Sequence, residues 1–297
     1  MYGNFNNTQR WIAEHSEANL KMNIKKIKLL IIGLLLCVIY APTFVWMKYR
    51  FLREESYYTH GFLVPLVVVY LVWRKRDELA KLPVCPQKRG LVILIFSLLI
   101  HVVAFQWKIF FISGFTMIAT LTGLILFIYG KRILKELLFP LFFLIFMIPL
   151  PMVLIIHISF HLKIFVSQIA ANVVNITGIH VVRKGSEIVL PNTSLMVGSP
   201  CSGLRSLISL TALGSLYAYL VDLSKLKKVL LFLASIPLAL IANIIRVVTL
   251  LLVAYVYGSK VATGKFHDYS GFLIFIFAFL GLKLTESILS WKKKKQA

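Results

Sequence analysis

Long apolar runs separated by short polar and basic stretches set the pattern of this chain. Runs near the ~20-residue length that crosses a bilayer fall at roughly 29–47, 58–73, 90–107, 109–129, 133–150, 201–221, 229–257 and 271–290. The stretch 152–177 differs. It carries His157, His161, Lys163, Gln168, Asn172 and Asn175, too polar for easy insertion but suited to a helix lying at the interface or against protein. The next stretch, 179–198, is rich in Val, Ile and Leu and is broken at Arg183-Lys184-Gly185-Ser186 and at Pro191-Asn192-Thr193. It reads as a small β-hairpin outside the membrane, with an irregular loop as the alternative. The pattern therefore predicts an all-α polytopic membrane protein with about eight transmembrane helices, an interfacial helix and a small extracytoplasmic β-hairpin.

Charge gives the pattern a direction, because Lys and Arg near spanning helices concentrate on the cytoplasmic side. Lys21, Lys25, Lys26 and Lys28 precede the first run, Arg74, Lys75 and Arg76 follow the second, and Lys131, Arg132 and Lys135 precede the fifth. If 152–177 does not cross, Lys225, Lys227 and Lys228 and then Lys292, Lys293, Lys294 and Lys295 fall on the same side. If it does cross, both late clusters end up outside. The first arrangement is preferred and puts both termini in the cytoplasm, with a polar tail at 1–24 expected to be mobile, a single domain at 25–291 and a basic tail at 292–297.

Composition agrees with a membrane protein: 59% of residues are hydrophobic, more than one soluble core needs. The formal charge of +22 does not indicate nucleic acid, because the basic residues flank apolar runs instead of sharing one polar face. The first 20 or so residues are polar, so the first apolar run reads as a retained anchor and not a cleaved signal. The three cysteines, Cys37, Cys85 and Cys201, show no CxxC or metal-ligand spacing. Neither a disulfide framework nor a metal or cofactor is expected.

Candidate chemistry sits at matching ends of three consecutive apolar segments. Cys201 follows Gly198-Ser199-Pro200 and opens the run Ser202-Gly203-Leu204-Arg205-Ser206, in or beside the first turn of a helix whose exposed amides would favour a thiolate. Arg205, one turn on, adds positive potential. Arg246 lies in an otherwise apolar helix, where an arginine costs ~3 kcal/mol or more unless it reaches a partner or water. Asn243 shares its face, and Pro237 upstream can kink the helix. A guanidinium there can stabilise an oxyanion; snorkelling to the interface or pairing with an acid is the plainer alternative. His267, just ahead of the last span, can serve as general acid or base, with Asp268 beside it in sequence. His60 in Tyr58-Thr59-His60-Gly61 is better suited to structure or substrate positioning than to direct chemistry, and His101, His157 and His161 to packing.

With these residues the chain resembles the exosortase/archaeosortase family of integral membrane transpeptidases. The matching blocks are Tyr58-Thr59-His60-Gly61-Phe62-Leu63-Val64-Pro65, Phe139-Pro140 with Met147-Ile148-Pro149-Leu150-Pro151, and 183–191 from Arg183 to Pro191. Cys201-Ser202-Gly203-Leu204-Arg205-Ser206, Ala242-Asn243-Ile244-Ile245-Arg246-Val247 and His267-Asp268-Tyr269-Ser270-Gly271 complete the set. The resemblance implies Cys201 as nucleophile, Arg246 as oxyanion or substrate-binding residue and His267 as general acid/base. It further implies membrane-anchored protein substrates with a C-terminal sorting signal (short motif, transmembrane helix, basic tail), of Pro-Glu-Pro type, cleaved outside the cytoplasm and transferred from a thioester to an acceptor. Pro200 departs from the small residue expected before the cysteine. Two rivals remain: plain intramembrane cysteine proteolysis, and a transporter or assembly protein of polysaccharide export that binds an anionic substrate through Arg246.

Overall fold

The computed structural model describes residues 27–53, 56–198 and 201–294, without the side chains at 265, 268 and 291–294. The N-terminal polar tail, Pro200 and the end of the basic C-terminal tail lie outside the described residues. The chain divides into two compact units, Met1–Trp46 and Met47–Ala297. Helix Ile27–Ile39 (α1), in the first unit, and helix Ala41–Leu52 (α2), which runs across the boundary at Trp46, meet at a 61° bend. Pro42 explains it: a residue with no N–H cannot continue the ladder of α1 but fits the first turn of a new helix. The first apolar run is thus broken at Tyr40 and not one straight rod.

In the second unit, a 3-10 turn, Thr59–Phe62, leads into Leu63–Arg74 (α3) and the short Arg76–Lys81 (α4). Lys88–Gln106 (α5) and Phe110–Ile128 (α6) form an antiparallel hairpin. Their backbones touch at Gly90 and Gly123: a Cβ on Gly90 would lie 2.3 Å from the Phe127 nitrogen, and one on Gly123 would lie 2.7 Å from that of Leu94. Small residues permit that approach, and polar pairs lock it, Ser97 to Thr120 at 2.8 Å and His101 Nδ1 to Ser113 at 2.9 Å. Lys131–Phe143 (α7) ends in a 3-10 turn, Leu144–Met147, ahead of Pro149 and Pro151, and Met152–Ile176 (α8) follows.

The stretch expected as a hairpin is a three-stranded antiparallel meander, Val182–Lys184 (β1), Glu187–Val189 (β2) and Ser194–Met196 (β3). Gly185, at φ 65°, supplies the positive dihedral that its two-residue turn needs. The third strand exists because alternation carries through the second turn: Ile188 and its cross-strand partner Leu195 both point inward, 0% and 4% exposed.

Leu204–Leu220 (α9), Lys225–Tyr257 (α10), Ser259–Thr263 (α11) and Lys265–Lys294 (α12) complete the chain. Five described helices are long and apolar enough to cross a membrane, or six with the bent pair; α3, α7 and α9 are shorter. α8 is among the five, yet its contacts run along one end of the bundle. Ser159, near its start, meets Tyr57 at 3.4 Å. Its later residues Val166, Ala170, Ala171 and Val174 join the sheet and Val247, Leu250, Leu251 and Ala254 of α10 in one buried cluster.

Basic residues gather at the opposite end. Lys75 bonds Glu136 at 2.6 Å, and Lys75 and Lys228 each stand 5.8 Å from the Tyr219 ring, which stacks on Phe139 at 3.8 Å. At 1.5 Å per residue, Lys228 and Arg246 are about 27 Å apart along α10, so basic and nucleophilic groups lie at opposite ends of the same helices.

Candidate active site

The turn ahead of α9, the interior of α10 and the first turn of α12 build the site. Cys201 precedes α9 instead of sitting in its first turn: its N–H donates to the Gly198 carbonyl at 3.0 Å, and the chain turns into the helix through Gly203 at φ 85°. Glycine is needed there twice over, because a Cβ would be strained and would lie 2.6 Å from Asn243 Nδ2. Asn243, fully buried on α10, donates to the Cys201 carbonyl at 3.2 Å and so fixes the backbone that carries the thiol. Its Oδ1 has no hydrogen-bond partner among the described residues.

One turn along α10, Arg246 is 8% exposed. Its guanidinium reaches α12 across the bundle: Nη2 lies 3.0 Å from His267 Nε2 and donates to the His267 carbonyl at 2.9 Å, while Nε donates to Ser270 Oγ at 3.0 Å. These bonds supply the partners that an arginine at this depth requires.

His267 lies just ahead of the spanning stretch Tyr269–Ser290, already in the first turn of α12, which starts at Lys265 after a break at Gly264. Its N–H donates to the Gly264 carbonyl at 2.9 Å. The helical spacing brings His267 and Ser270 onto one face toward Arg246, and Ser270 Oγ donates to the His267 carbonyl at 2.8 Å. The sequence reading did not single out Ser270; its position three residues after His267 was the available signal.

Cys201 Sγ lies 3.1 Å from His267 Nε2. Because a guanidinium only donates hydrogen bonds, the Arg246 contact makes Nε2 an acceptor and leaves the ring proton on Nδ1. The thiol thus faces a nitrogen able to take its proton. Burial pushes the Cys201 thiol above the ordinary cysteine value, and the Arg246 charge opposes this. The thiol stands ahead of α9, beside its first turn, where burial and the Arg246 charge act on it in opposite directions. Beside Cys201 and His267 is a cavity of about 20 Å³, walled by Leu195, Val197, Val247 and Leu250, with room for about one water. Arg246 also heads an apolar crevice of about 50 Å³ between α10 and α12, lined by Ile245, Leu273 and Phe277.

The remaining candidates are dispersed. His60 is on the 3-10 turn before α3, with Nδ1 3.0 Å from Ser209 Oγ of α9. Arg205 is half-buried, and its Nε has no partner among the described residues. Asp268 is in α12, but its side chain lies outside those described. Among the described residues no three His, Cys, Asp or Glu side chains cluster as metal ligands.

The sequence profile of the transmembrane exosortases matches residues 46–284, a span that takes in every element from α3 to the body of α12. The chain belongs to the transmembrane exosortase family, a family of membrane cysteine peptidases and transpeptidases. No curated protein and no solved structure matches it.

Proposed function

We propose that this protein is a membrane-embedded cysteine transpeptidase that cleaves C-terminal sorting signals of membrane-anchored proteins at the extracytoplasmic face. The observation that carries the reading is the convergence of Cys201 Sγ and Arg246 Nη2 on His267 Nε2, at 3.1 and 3.0 Å.

In the first step Cys201 passes its proton to Nε2 and Sγ bonds to the scissile carbonyl carbon. Once Nε2 carries a proton it cannot accept from Arg246, so Nη2 is released to donate to the developing oxyanion. Collapse of the tetrahedral adduct breaks the C–N bond, and Nε2 returns the proton to the departing amine, leaving a thioester on Cys201. The adjacent guanidinium disfavours a lasting imidazolium and so promotes this transfer. An acceptor amine, hydroxyl or water then attacks the thioester, with His267 taking its proton.

The gathering of Lys75, Lys228 and their basic neighbours at the far end of the bundle supports an extracytoplasmic site and cytoplasmic termini. Sideways entry of a substrate helix is supported by the apolar crevice between α10 and α12, since Ile245, Leu273 and Phe277 on its walls are exposed. Short motif, spanning helix and basic tail, of Pro-Glu-Pro type, remain the proposed substrate features, and a surface molecule the proposed acceptor.

Hydroxylamine tests the thioester. In membranes holding the protein and a tagged substrate with a C-terminal helix and basic tail, it should convert the acyl intermediate to a released hydroxamate. Release that is equal from a Cys201→Ala variant would overturn the reading.

A further inference from the structure

Two cavities meet at the basic end of the bundle, about 27 Å from the candidate active site along α10. One, of about 360 Å³, is lined by Arg74, Lys75, Glu78, Tyr219 and Lys228. The other, of about 200 Å³, shares Tyr219 and Lys228 but is otherwise walled largely by apolar side chains, among them Phe139, Phe142, Val229 and Phe232. Phe142 and Val229 are exposed, at 43% and 52%, so this second cavity faces the region that acyl chains occupy around a spanning bundle.

The cations differ in what holds them. Lys75 is committed to Glu136 at 2.6 Å. Arg74 makes no hydrogen bond or ion pair among the described residues. Lys228 donates to the Tyr219 carbonyl at 2.9 Å and has no acidic partner among them, leaving N–H groups for a ligand. Glu78 is exposed at the rim and offers an acceptor to a hydroxyl-bearing headgroup. A phosphate-sized anion fits the chemistry of the first cavity, but only a ligand with a hydrocarbon chain uses both. Basic pockets between spanning helices on the cytoplasmic side are where anionic headgroups bind.

We propose that these cavities hold one anionic phospholipid of the glycerol-headgroup type. Its phosphate sits between Arg74 and Lys228, its headgroup hydroxyl meets Glu78, and an acyl chain lies along Phe142, Val229 and Phe232. The lipid bridges α3 and the first turn of α10, beside Tyr219 and the two lysines at its ring. The site is independent of the chemistry at Cys201.

The test uses the full chain in nanodiscs of equal phosphatidylglycerol and phosphatidylcholine with identical acyl chains, followed by native mass spectrometry. One phosphatidylglycerol should be retained per protein in preference to phosphatidylcholine, and inorganic phosphate should not displace it. Retention should fall roughly twenty- to thirtyfold in R74Q/K228Q, about fivefold for each cation. It should persist in R74K/K228R, which keeps both charges, and fall in Val229→Trp, which fills the apolar cavity with the cations intact. Equal retention of both lipids, unchanged retention in R74Q/K228Q or Val229→Trp, displacement by phosphate, or loss in R74K/K228R would each overturn the proposal.

Discussion

Cys201, just ahead of α9, and Arg246, within α10, approach the same atom, Nε2 of His267, at 3.1 and 3.0 Å. Both contacts cannot survive one proton transfer: when the thiol proton moves to Nε2, the guanidinium loses its acceptor there. In the proposed mechanism, this geometry would couple formation of the nucleophile to release of an oxyanion donor.

Arg246→Lys should be nearly as damaging as Arg246→Gln. A lysine keeps the charge but cannot hold Ser270 and His267 from two nitrogens at once. Loss of one oxyanion donor costs about 10²–10³ in turnover, so processing rates should fall by that order in both variants at unchanged protein level. Full activity of Arg246→Lys would reduce Arg246 to a point charge.

Thiol reactivity should report the same pair. Cys37 and Cys85 are exposed, so the measurement needs both replaced by alanine. Alkylation of Cys201 should then rise with pH around a midpoint above that of an ordinary cysteine, because burial raises its pKa. The Arg246 charge acts in the lowering direction, so Arg246→Gln should move the midpoint further up. A midpoint unchanged by that substitution would mean the guanidinium does not act on the thiol.

Gly203→Ala should lower stability and displace the thiol together. Positive-φ strain alone costs about 1–3 kcal/mol, and the added Cβ meets Asn243 at 2.6 Å. A lowered melting temperature with slower Cys201 alkylation is expected. Adding Asn243→Gly should restore part of the stability by removing the clash, but not the strain.

Ser270→Ala should have a smaller effect. Ser270 acts through Arg246, and one hydrogen bond to a charged group is worth about 1.5–3 kcal/mol, so about ten- to a hundredfold is expected in the rate. A positioning role predicts that turnover falls while apparent substrate affinity holds; the reverse split would place Ser270 against substrate.

Much of this was legible in the sequence because apolar runs and costly polar residues are both visible there. Cys201, Arg246 and His267 stood out at matching ends of three consecutive apolar segments, and the ~1.5 Å rise per residue set Arg246 near the level of Cys201. The contacts were less visible. Nothing in the spacing told that Asn243 reaches back to the Cys201 carbonyl, or that Ser270 accepts from Arg246 Nε, because those depend on how α9, α10 and α12 rotate about their axes. The 3.6-residue period was also insufficient to place the start of α12: Gly264, a backbone break, set it earlier than the apolar run did. For α8, the polar side chains point to an interface while length and apolarity suit a spanning helix, and it packs against Tyr57 and the C-terminal half of α10.

The most direct measurement co-expresses the protein, or its Cys201→Ala variant, with a tagged substrate bearing a C-terminal helix and basic tail, and follows substrate size. The account expects a shortened product with the wild-type protein and none with the variant at equal abundance. The same product from both would contradict it, because Cys201 would then not be the nucleophile.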